Sequence, residues 1–370
     1  MTNSTKYWIW LNNAIGHNNP KHKRIFEMYD SIEEFYNLSE YEKRLSGLFS
    51  DNEITKLQNT DIKDSFDIIS KCNENNISIL CFDDVSYPKK LFDIYAPPSV
   101  LYVSGVMPDF DSRLSIGMVG TRNATSYGVM ASHIISGSLA KLSVIIVSGG
   151  AIGIDTACHK GALEAFGTTV CVLGCGIDFP YLTQNASLRK DISKSGAVIS
   201  EYPPGTPAAA FRFPERNRII SGLSNGVCVV EADLKSGSLI TANCALAENR
   251  DVFAVMGNIT SRYSEGTNNL IKDGATPVLS FKDIIDCYPE YKIESNEKAS
   301  SVIDEPKHRK DINVSESAKA VYYAVTATPV HIDKIAETTK LPVNIVLQAV
   351  TELELFGLIE AQKGRMYKLI

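Results

Sequence analysis

Three arginines and an asparagine stand close together in "FRFPERNRIISG", residues 211–222. Arg212, Arg216 and Arg218 outnumber the single glutamate, so the local formal charge is +2, whereas the whole chain carries −6. Guanidinium groups bind carboxylates and phosphates through paired hydrogen bonds, and Asn217 adds an amide donor. The apolar residues that follow anchor the segment, which favours positioned arginines at an exposed site over a solvated basic face. The cluster therefore predicts an anion-binding site.

A second candidate is the loop "MVGTRNATSYG", residues 118–128. Gly120 closes an apolar strand, Thr121 and Arg122 follow, and a helix comes next. The free N–H groups of such a loop and helix start suit a phosphate. The alternative, equally weighted on the loop alone, is a tight turn with Arg122 in a surface ion pair. The loop lacks the GxGxxG spacing, and the next strand ends "VSGG" without an acidic residue, so NAD is not expected.

The segment "SGGAIGIDTACHKGAL", residues 148–163, follows the next strand. Its small residues allow a ligand to approach the backbone closely. These residues are Ser148, Gly149, Gly150 and Gly153. Asp155 is a candidate N-cap of the following helix, and His159 lies one turn later on the same face. We favour structural support of the pocket over a catalytic dyad for this pair.

Small and hydroxyl residues also surround the helix start in "EADLKSGSLITANCALAENR", residues 231–250. They are Ser236, Gly237, Ser238 and Thr241. Together they predict a second anion seat, with an ordinary serine N-cap as the alternative.

No candidate pairs a nucleophile with a matched base, and no spacing typical of metal ligands occurs, so we expect no catalytic residue, metal or cofactor. Several predicted anion-binding loops without catalytic residues favour a polyanion as the ligand. The backbone of single-stranded nucleic acid, held through its phosphates, is the natural candidate.

The elements that must position these loops form an alternating series of apolar strands and helices from 112 to 285. Strands that are apolar on both faces, separated by helices, predict a doubly wound parallel α/β sheet of the Rossmann type. Helical periodicity over 1–65 predicts a small helical domain, so the α/β domain is assigned to 66–287. The polar run 288–311 predicts a linker, and 312–370 reads as three helices and a hairpin, a winged helix.

Composition restricts the class of protein further. A chain of 370 residues with 44% hydrophobic and 22% charged residues is typical of a folded protein with two or three domains. Its eight cysteines contain no CxxC pair, which favours buried free thiols. The start of the chain lacks the pattern of a leader, and no apolar run reaches membrane-spanning length. We therefore expect a cytoplasmic protein without a membrane partner.

Six motifs, in order and spacing, resemble the DNA-processing protein A family, also called DprA or Smf. They are "VGTRNATSYG", "SGGAIGID", "VLGCGID", "ISEYPPGT", "FPERNRIISGLS" and "VVEADLKSGSLITANCALAENRDVFAV". The resemblance spans roughly 80–285 and implies an extended Rossmann-like domain that forms a homodimer. It implies a bacterial protein that binds single-stranded DNA, protects incoming DNA in natural transformation and helps to load the RecA recombinase. It implies no enzymatic activity.

The resemblance also assigns the candidate residues. Arg122 corresponds to a DNA-contacting arginine, whereas some residues of the "RNR" motif hold the pocket rather than touch DNA. The full set expected at the DNA site is Gly120, Thr121, Arg122, Ser148, Gly149, Gly150, Gly153, Lys160, Arg212, Arg216, Asn217, Arg218, Ser236, Gly237, Ser238 and Thr241. Asp155 and His159 are expected to support the pocket.

The chain departs from the family pattern at four positions. Ile152 and Thr183 replace residues that are usually basic, and Leu182 and Met256 replace prolines. Fewer basic residues predict weaker phosphate binding, or binding that depends more on Lys160 and the arginines.

The last domain carries six basic and six acidic residues over 312–370, and its third helix contains Glu352 and Glu354 but no lysine or arginine. Helices that read the major groove normally carry basic or amide donors. We therefore expect this domain not to bind duplex DNA sequence-specifically, but to use the basic hairpin residues Lys363, Arg365 and Lys368 or to bind protein.

Two rival functions fit the glycine-rich loops. One is a nucleotide-binding sensor, which a mononucleotide would saturate at low concentration. The other is an enzyme similar to the nucleoside-monophosphate phosphoribohydrolases, but that group carries a PGGxGTxxE motif without a counterpart in this chain.

Overall fold

The computed structural model describes residues 4–291, 314–326, 329–362 and 364–369. The chain divides into two compact units, Met1–Ser301 and Val302–Ile370. The predicted linker, 288–311, lies outside the described residues from 292 onward.

Six helices open the first unit: α1 (Thr5–Ile15), α2 (Lys21–Met28), α3 (Ile32–Asn37), α4 (Glu40–Leu45), α5 (Asp51–Asn59) and α6 (Lys63–Glu74). Ser39 and Ser50 each form a capping box that fixes a helix start. Residues 23–45 are divided among α2, α3 and α4, and Met28 at the end of α2 is 52% exposed. The boundary expected at residue 65 falls within α6, and a separate helical domain stays a prediction.

A nine-stranded sheet forms the centre of this unit, in the order β1-β2-β6-β5-β4-β3-β7-β8-β9. The strands are β1 (Ser78–Cys81), β2 (Val100–Gly105), β3 (Ser115–Val119), β4 (Ile145–Ser148), β5 (Thr169–Leu173), β6 (Ala197–Ser200), β7 (Gly226–Val229), β8 (Asp251–Val255) and β9 (Thr276–Val278). The seven strands from β6 to β9 pair in parallel, as predicted. The two outer strands β1 and β2 pair antiparallel.

Eight helices connect or follow these strands: α7 (Lys89–Phe92), α8 (Ser126–Lys141), α9 (Ile154–Glu164), α10 (Ala186–Ser195), α11 (Arg212–Gly222), α12 (Ser238–Ala247), α13 (Glu265–Lys272) and α14 (Phe281–Ile285). Ile116 and Met118 of β3 pack into a core with residues of α8 and α9, whereas Val119 packs into a core shared with α1 and α11. Both faces of β3 are therefore covered, which explains its uninterrupted apolar sequence. Helix α11 was not among the predicted helices.

The second unit has the predicted three helices and hairpin. They are α15 (Glu316–Ala324), α16 (Ile332–Thr339) and α17 (Val343–Leu355), with β11 (Ile359–Gln362) and β12 (Met366–Leu369). Ser315 caps α15 by accepting a hydrogen bond from the Ala318 N–H. A short strand that the sequence did not indicate, β10 (Val330–His331), completes the sheet in the order β10-β12-β11. Of the expected hairpin residues, Lys363 lies outside the described residues.

The N-terminal helices share a core with the sheet, so a cavity there should destabilise the whole first unit. Trp8 of α1 is 1% exposed, and its ring centroid lies 5.3 Å from that of Phe82, directly after β1. We expect Trp8→Ala to lower the free energy of unfolding by about 3–5 kcal/mol in urea titrations followed by circular dichroism. Leu45→Ala, at a side chain 67% exposed, is the control and should change it by less than about 0.5 kcal/mol. Equal effects of both changes would show that the helices do not share the core.

Candidate nucleic-acid interface

The chain order of the strands reverses at β3. Strands β4, β5 and β6 follow on one side of β3, whereas β7, β8 and β9 follow on the other. Loops leave such a switch point in opposite directions and open a crevice at the carboxyl ends of the strands. A cleft of about 520 Å³ lies there. Its walls come from the loops after β3, β4 and β7, from the first turns of α9 and α12 and from one side of α11.

The cleft brings together ten of the residues predicted from sequence. They are Gly120, Thr121, Arg122, Asp155, Arg216, Asn217, Ser236, Gly237, Ser238 and Thr241. The eight predicted residues that do not line it are Ser148, Gly149, Gly150, Gly153, His159, Lys160, Arg212 and Arg218. Lining residues that the prediction missed include Phe213, Asp233 and Lys235. Lys235 stands directly before the "SGSLIT" motif, so its position beside a predicted anion seat was the available signal.

Arg122 stands exposed at the cleft, with its guanidinium carbon 5.5 Å from the centroid of the Phe213 ring. A cation over an aromatic face is held without losing its charge. This geometry leaves the N–H groups of Arg122 available to an anion. It also differs from the alternative in which Arg122 sits in an ion pair with a neighbouring carboxylate.

Arg216 is 5% exposed and crosses the ends of two strands. Its Nη1 donates to the carbonyl oxygens of Gly149, at 2.8 Å, and Val172, and its Nε has no partner among the described residues. The guanidinium lies so close to Gly149 that a Cβ atom there would overlap it. Gly149 is thus needed to admit the arginine, and it supports the cleft from behind. The expectation that the arginine cluster is exposed is wrong for Arg216.

Arg218 is buried too, at 8% exposure, and forms an ion pair with Glu201 at 2.5 Å. Arg212 lies over the rings of Tyr202 and Phe211, at 5.0 and 5.3 Å. A buried guanidinium needs a carboxylate or carbonyl partner. Counting the charges of one sequence segment does not reveal a partner that lies far away in the sequence. The "RNR" motif is therefore divided between the cleft and the support of α11.

Asp155 and His159 support the fold in ways the sequence did not predict. Asp155 is not the N-cap of α9, which is Gly153 with φ 82°, but lies in the first turn, where its carboxylate accepts from the Ala151 N–H at 3.3 Å. Burial raises the pKa of Asp155, and the nearby Arg216 opposes this. The His159 ring contacts the Thr169 hydroxyl at 2.7 Å, and burial lowers its pKa to about 3, so the ring is neutral.

The phosphate seat expected at the start of α8 is occupied by a carboxylate of the chain itself. Glu231, 2% exposed, follows β7 and accepts from the Thr125 N–H at 2.9 Å and the Thr125 hydroxyl at 2.6 Å. Thr125 in turn caps α8 by accepting from the Gly128 N–H. A negative charge is favoured at a helix N-terminus, and Glu231 supplies it. A phosphate would have to compete with Glu231 for this seat, whereas the loop residues Gly120 and Arg122 line the cleft.

The second predicted seat, at the start of α12, opens onto the cleft. Its N-cap is Gly237, without a side-chain cap, so the alternative of an ordinary serine N-cap is wrong. The Ser236 and Ser238 hydroxyl oxygens lie 2.8 Å apart, and the Asn217 amide donates to the Gly237 carbonyl at 3.4 Å. Asn217 thus connects α11 to this loop.

The cleft is only weakly basic. Its charged lining residues are three cations, Arg122, Arg216 and Lys235, and two carboxylates, Asp155 and Asp233. Asp233 also forms an ion pair with Arg262 at 3.4 Å, on the loop after β8. An anion would thus meet a small positive excess rather than a strongly basic groove.

Two family models match the chain. Residues 78–289 match the model of DNA recombination-mediator protein A, and residues 305–365 match the DprA winged helix domain. The first match contains every strand and helix that lines the cleft. The chain belongs to the DNA recombination-mediator protein A family. The resemblance that the sequence motifs indicated is thereby confirmed.

Two similar proteins carry names used for this family, Smf and DprA. Protein Smf of a Synechocystis strain is 34% identical over 82% of this chain and 83% of its own length. DNA processing protein DprA of Bacillus subtilis is 39% identical over 62% of this chain and 77% of its own length.

Two solved structures also resemble the chain. DprA of Streptococcus pneumoniae is 32% identical with a TM-score of 0.67, covering 78% of this chain and 99% of that one. DprA of Helicobacter pylori, described with a single-stranded DNA binding mode, is 31% identical with a TM-score of 0.53, covering 58% of this chain and 97% of that one. Of the helices within the described ranges, none has the length and apolar character needed to cross a membrane.

The contact between Glu231 and α8 predicts the effect of a change at Gly128. A Cβ atom at Gly128 would overlap the Glu231 carboxylate. We expect Gly128→Ala to displace the carboxylate from Thr125 and lower the free energy of unfolding by about 1–3 kcal/mol. Ser126→Ala, at an exposed residue of the same helix turn, is the control and should be near neutral. Calorimetric melting of both variants measures the difference. A Gly128→Ala protein with the stability of the wild type would contradict the contact between Glu231 and the start of α8.

Helices α11 and α12 are joined by a hydrogen bond that predicts a pH effect. The Ser221 hydroxyl donates to Glu248 at 2.5 Å, and burial raises the pKa of Glu248 to about 7 from its usual 4.5. A raised carboxyl pKa means that stability is full below about pH 4.5 and declines as the pH rises through 7. We expect Glu248→Gln to reduce this decline in the free energy of unfolding by about 1 kcal/mol. The effect is small because the carboxyl group is partly exposed to solvent.

Urea titrations between pH 5 and pH 8 measure this effect. Glu27→Gln, on an exposed glutamate of α2, is the control and should keep the wild-type profile. If the free energy of unfolding of Glu248→Gln depended on pH as in the wild type, this carboxyl group would not be the one that binds the proton.

Proposed function

We propose that this protein binds single-stranded DNA in the cleft between β3 and β7, as a recombination mediator in natural transformation. The observation that carries the proposal is the exposed guanidinium of Arg122, held over Phe213 beside Arg216 and Lys235. Family membership supports the recombination role. The likeness to the Helicobacter pylori protein, which has a single-stranded DNA binding mode, supports the choice of single-stranded DNA.

The size of the cleft favours a single strand over a duplex. About 520 Å³ is typical of a pocket for one small ligand, so the cleft suits a nucleotide-sized part of a flexible strand. A single strand can turn one phosphate and its nucleotide inward, whereas a duplex keeps its bases paired and stacked. The apolar lining residues Phe213 and Ile240 suit the sugar or base of that nucleotide, and the cations suit its phosphate.

We propose further that the protein binds DNA without chemical turnover, forms a homodimer through the Rossmann-like unit, helps to load the RecA recombinase and acts in the cytoplasm. The resemblance to the family supports these four statements. Asp155, the buried carboxylate of the cleft, lies near the positive charge of Arg216, and His159 does not line the cleft. Both observations support a binding role over catalysis. Light scattering tests the dimer, and RecA filament assays test the loading of RecA.

The winged helix is proposed not to read duplex DNA. The carboxylate of Glu352 accepts from the Ser315 N–H at 2.8 Å and so joins α17 to the start of α15. Lys368 of the hairpin forms an ion pair with Glu360 at 2.9 Å, which reduces the positive charge there. The exposed side of α17 carries the apolar residues Val343 and Leu347, each 41% exposed, which supports contact with protein.

A nucleotide-binding sensor is the second candidate, since the volume of the cleft also suits a free nucleotide. The two functions differ in competition: a sensor takes up a mononucleotide at far lower concentration than a DNA-binding cleft does. Oligo-dT displaced by micromolar mononucleotide would therefore favour the sensor.

The test of the proposal is binding of labelled oligo-dT and a matched duplex across a salt series. We expect preference for the single strand, and an affinity about tenfold lower for Arg122→Ala because one charged hydrogen-bonding group is removed. The slope of log affinity against log salt should be shallower by about 0.7 for each phosphate that the variant no longer binds. Arg24→Ala, which removes an exposed arginine of α2, is the matched control. Equally weakened binding in both variants, or equal affinity for both DNA forms, would refute the assignment.

A further inference from the structure

Helix α11 has two sides with different partners. The side that includes Arg216 and Asn217 lines the cleft. The other side carries Glu215, Arg218 and Gly222, which follow one another at intervals of three and four residues and so share one stripe. Each residue of this stripe contacts an element outside the cleft, so its contacts determine where the cleft side of α11 lies.

The central contact is the ion pair between Arg218 and Glu201. The Glu201 carboxylate is 1% exposed, directly follows β6 and receives the Arg218 Nη2 group at 2.5 Å. Two charges held together away from water resist displacement, because removing either partner leaves the other buried and unpaired. The pair therefore fixes the middle of α11 to the end of β6.

The two ends of the stripe are held as well. The Tyr202 hydroxyl donates to the Glu215 carboxylate at 3.0 Å. At Gly222, a Cβ atom would overlap the side chains of Leu91 and Ile94, so α11 packs there directly against α7 and the loop after it. Three successive turns of α11 are thus fixed on the side away from the cleft.

The loop between α1 and α2, residues 16–20, covers the first two of these contacts. The Asn18 N–H donates to the Glu201 carboxylate at 3.2 Å. The His17 ring stands edge-on to the Tyr202 ring, with centroids 4.9 Å apart. Burial lowers the pKa of His17, so the ring does not add a charge beside Arg218. This loop belongs to the N-terminal helical region and lines no part of the cleft.

We propose that Glu201 is a positioning residue for the DNA cleft, and that the α1–α2 loop holds it in place. The N-terminal helical region then contributes to DNA affinity without touching DNA, by fixing the side of α11 that is opposite to Arg216 and Asn217. The inference rests on the proposed function, since it assigns to α11 a role in binding a single strand. It gives a function to a region whose sequence carries no chemistry of its own.

The experiment compares His17→Ala with His17→Phe in the full-length protein. The alanine variant removes the contact with Tyr202, whereas phenylalanine keeps a ring of similar size there. We expect His17→Ala to bind oligo-dT of about 20 nucleotides with roughly threefold to tenfold lower affinity, and His17→Phe to bind like the wild type. The salt slope of His17→Ala should also be shallower by up to about 0.7, because a displaced α11 no longer holds the positive charge of Arg216 at the cleft.

A second pair of variants tests Glu201 itself. Glu201→Gln leaves Arg218 buried without its counter-charge and carries a risk of misfolding. The double variant Glu201→Leu with Arg218→Met removes both charges and should fold, since apolar residues of similar volume replace a buried ion pair well. We expect the folded double variant to show the lower affinity and shallower salt slope of His17→Ala.

The outcomes separate positioning from stability alone. If the variants melt at lower temperature but the folded proteins keep the affinity and salt slope of the wild type, the contacts are only structural and the inference is overturned. If the wild type itself does not bind oligo-dT, the proposed function fails. Hydrogen exchange of residues 212–222 then decides the positioning: faster exchange in His17→Ala supports it, and unchanged exchange overturns it.

Discussion

The carboxylate of Glu231, buried at the start of α8, lies where a Rossmann-like fold commonly binds an anion. In a Rossmann-like sheet the helix after the first parallel strand offers free N–H groups and a positive end, which normally attract the phosphate of a ligand. Here Glu231 reaches this position from the end of β7, and Thr125 gives it both an N–H and a hydroxyl group. An external phosphate would have to displace a charge that is already desolvated and bonded. The proposed anion site is therefore shifted along the switch point, toward Arg122 and the start of α12, where the Ser236 hydroxyl accepts from the Ser238 N–H at 3.4 Å.

This shift makes α11 the critical wall of the cleft. The helix brings Arg216 to the ends of β4 and β5, where the carbonyl oxygens of Gly149 and Val172 receive its guanidinium. Carbonyl groups accept hydrogen bonds but do not cancel the charge, so Arg216 keeps its positive charge. Among the described cleft residues, only the carboxylate of Asp155 lies near enough to oppose that charge. Arg218, two residues later, meets a full carboxylate instead and is neutralised. The same residue type thus provides charge to the cleft at one position and holds the helix at the other.

The sequence predicted the parts of the fold that depend on local pattern. Apolar strands alternating with helices indicated the parallel sheet, and glycine and hydroxyl residues after β3 and β7 marked loops that meet at the cleft. The pattern could not show contacts between segments distant in the chain. Glu231 lies beside α8 only because β7 returns to pair with β3, and Arg218 is buried only because Glu201 ends β6. Asp155 was misjudged as an N-cap for another reason: Gly153 adopts φ 82° and takes the cap position itself.

The weak charge of the cleft also bears on selectivity. A strongly basic groove attracts any polyanion, and its affinity depends mainly on released counterions. With three cations against two carboxylates, long-range attraction contributes little, so an anion in the proposed site would have to approach Arg122 and Arg216 closely. Close approach requires a phosphate that can enter a confined space beside Phe213, which a flexible strand can present and a rigid duplex cannot. In the proposed DNA site, the preference for a single strand therefore rests on the shape of the cleft more than on its charge.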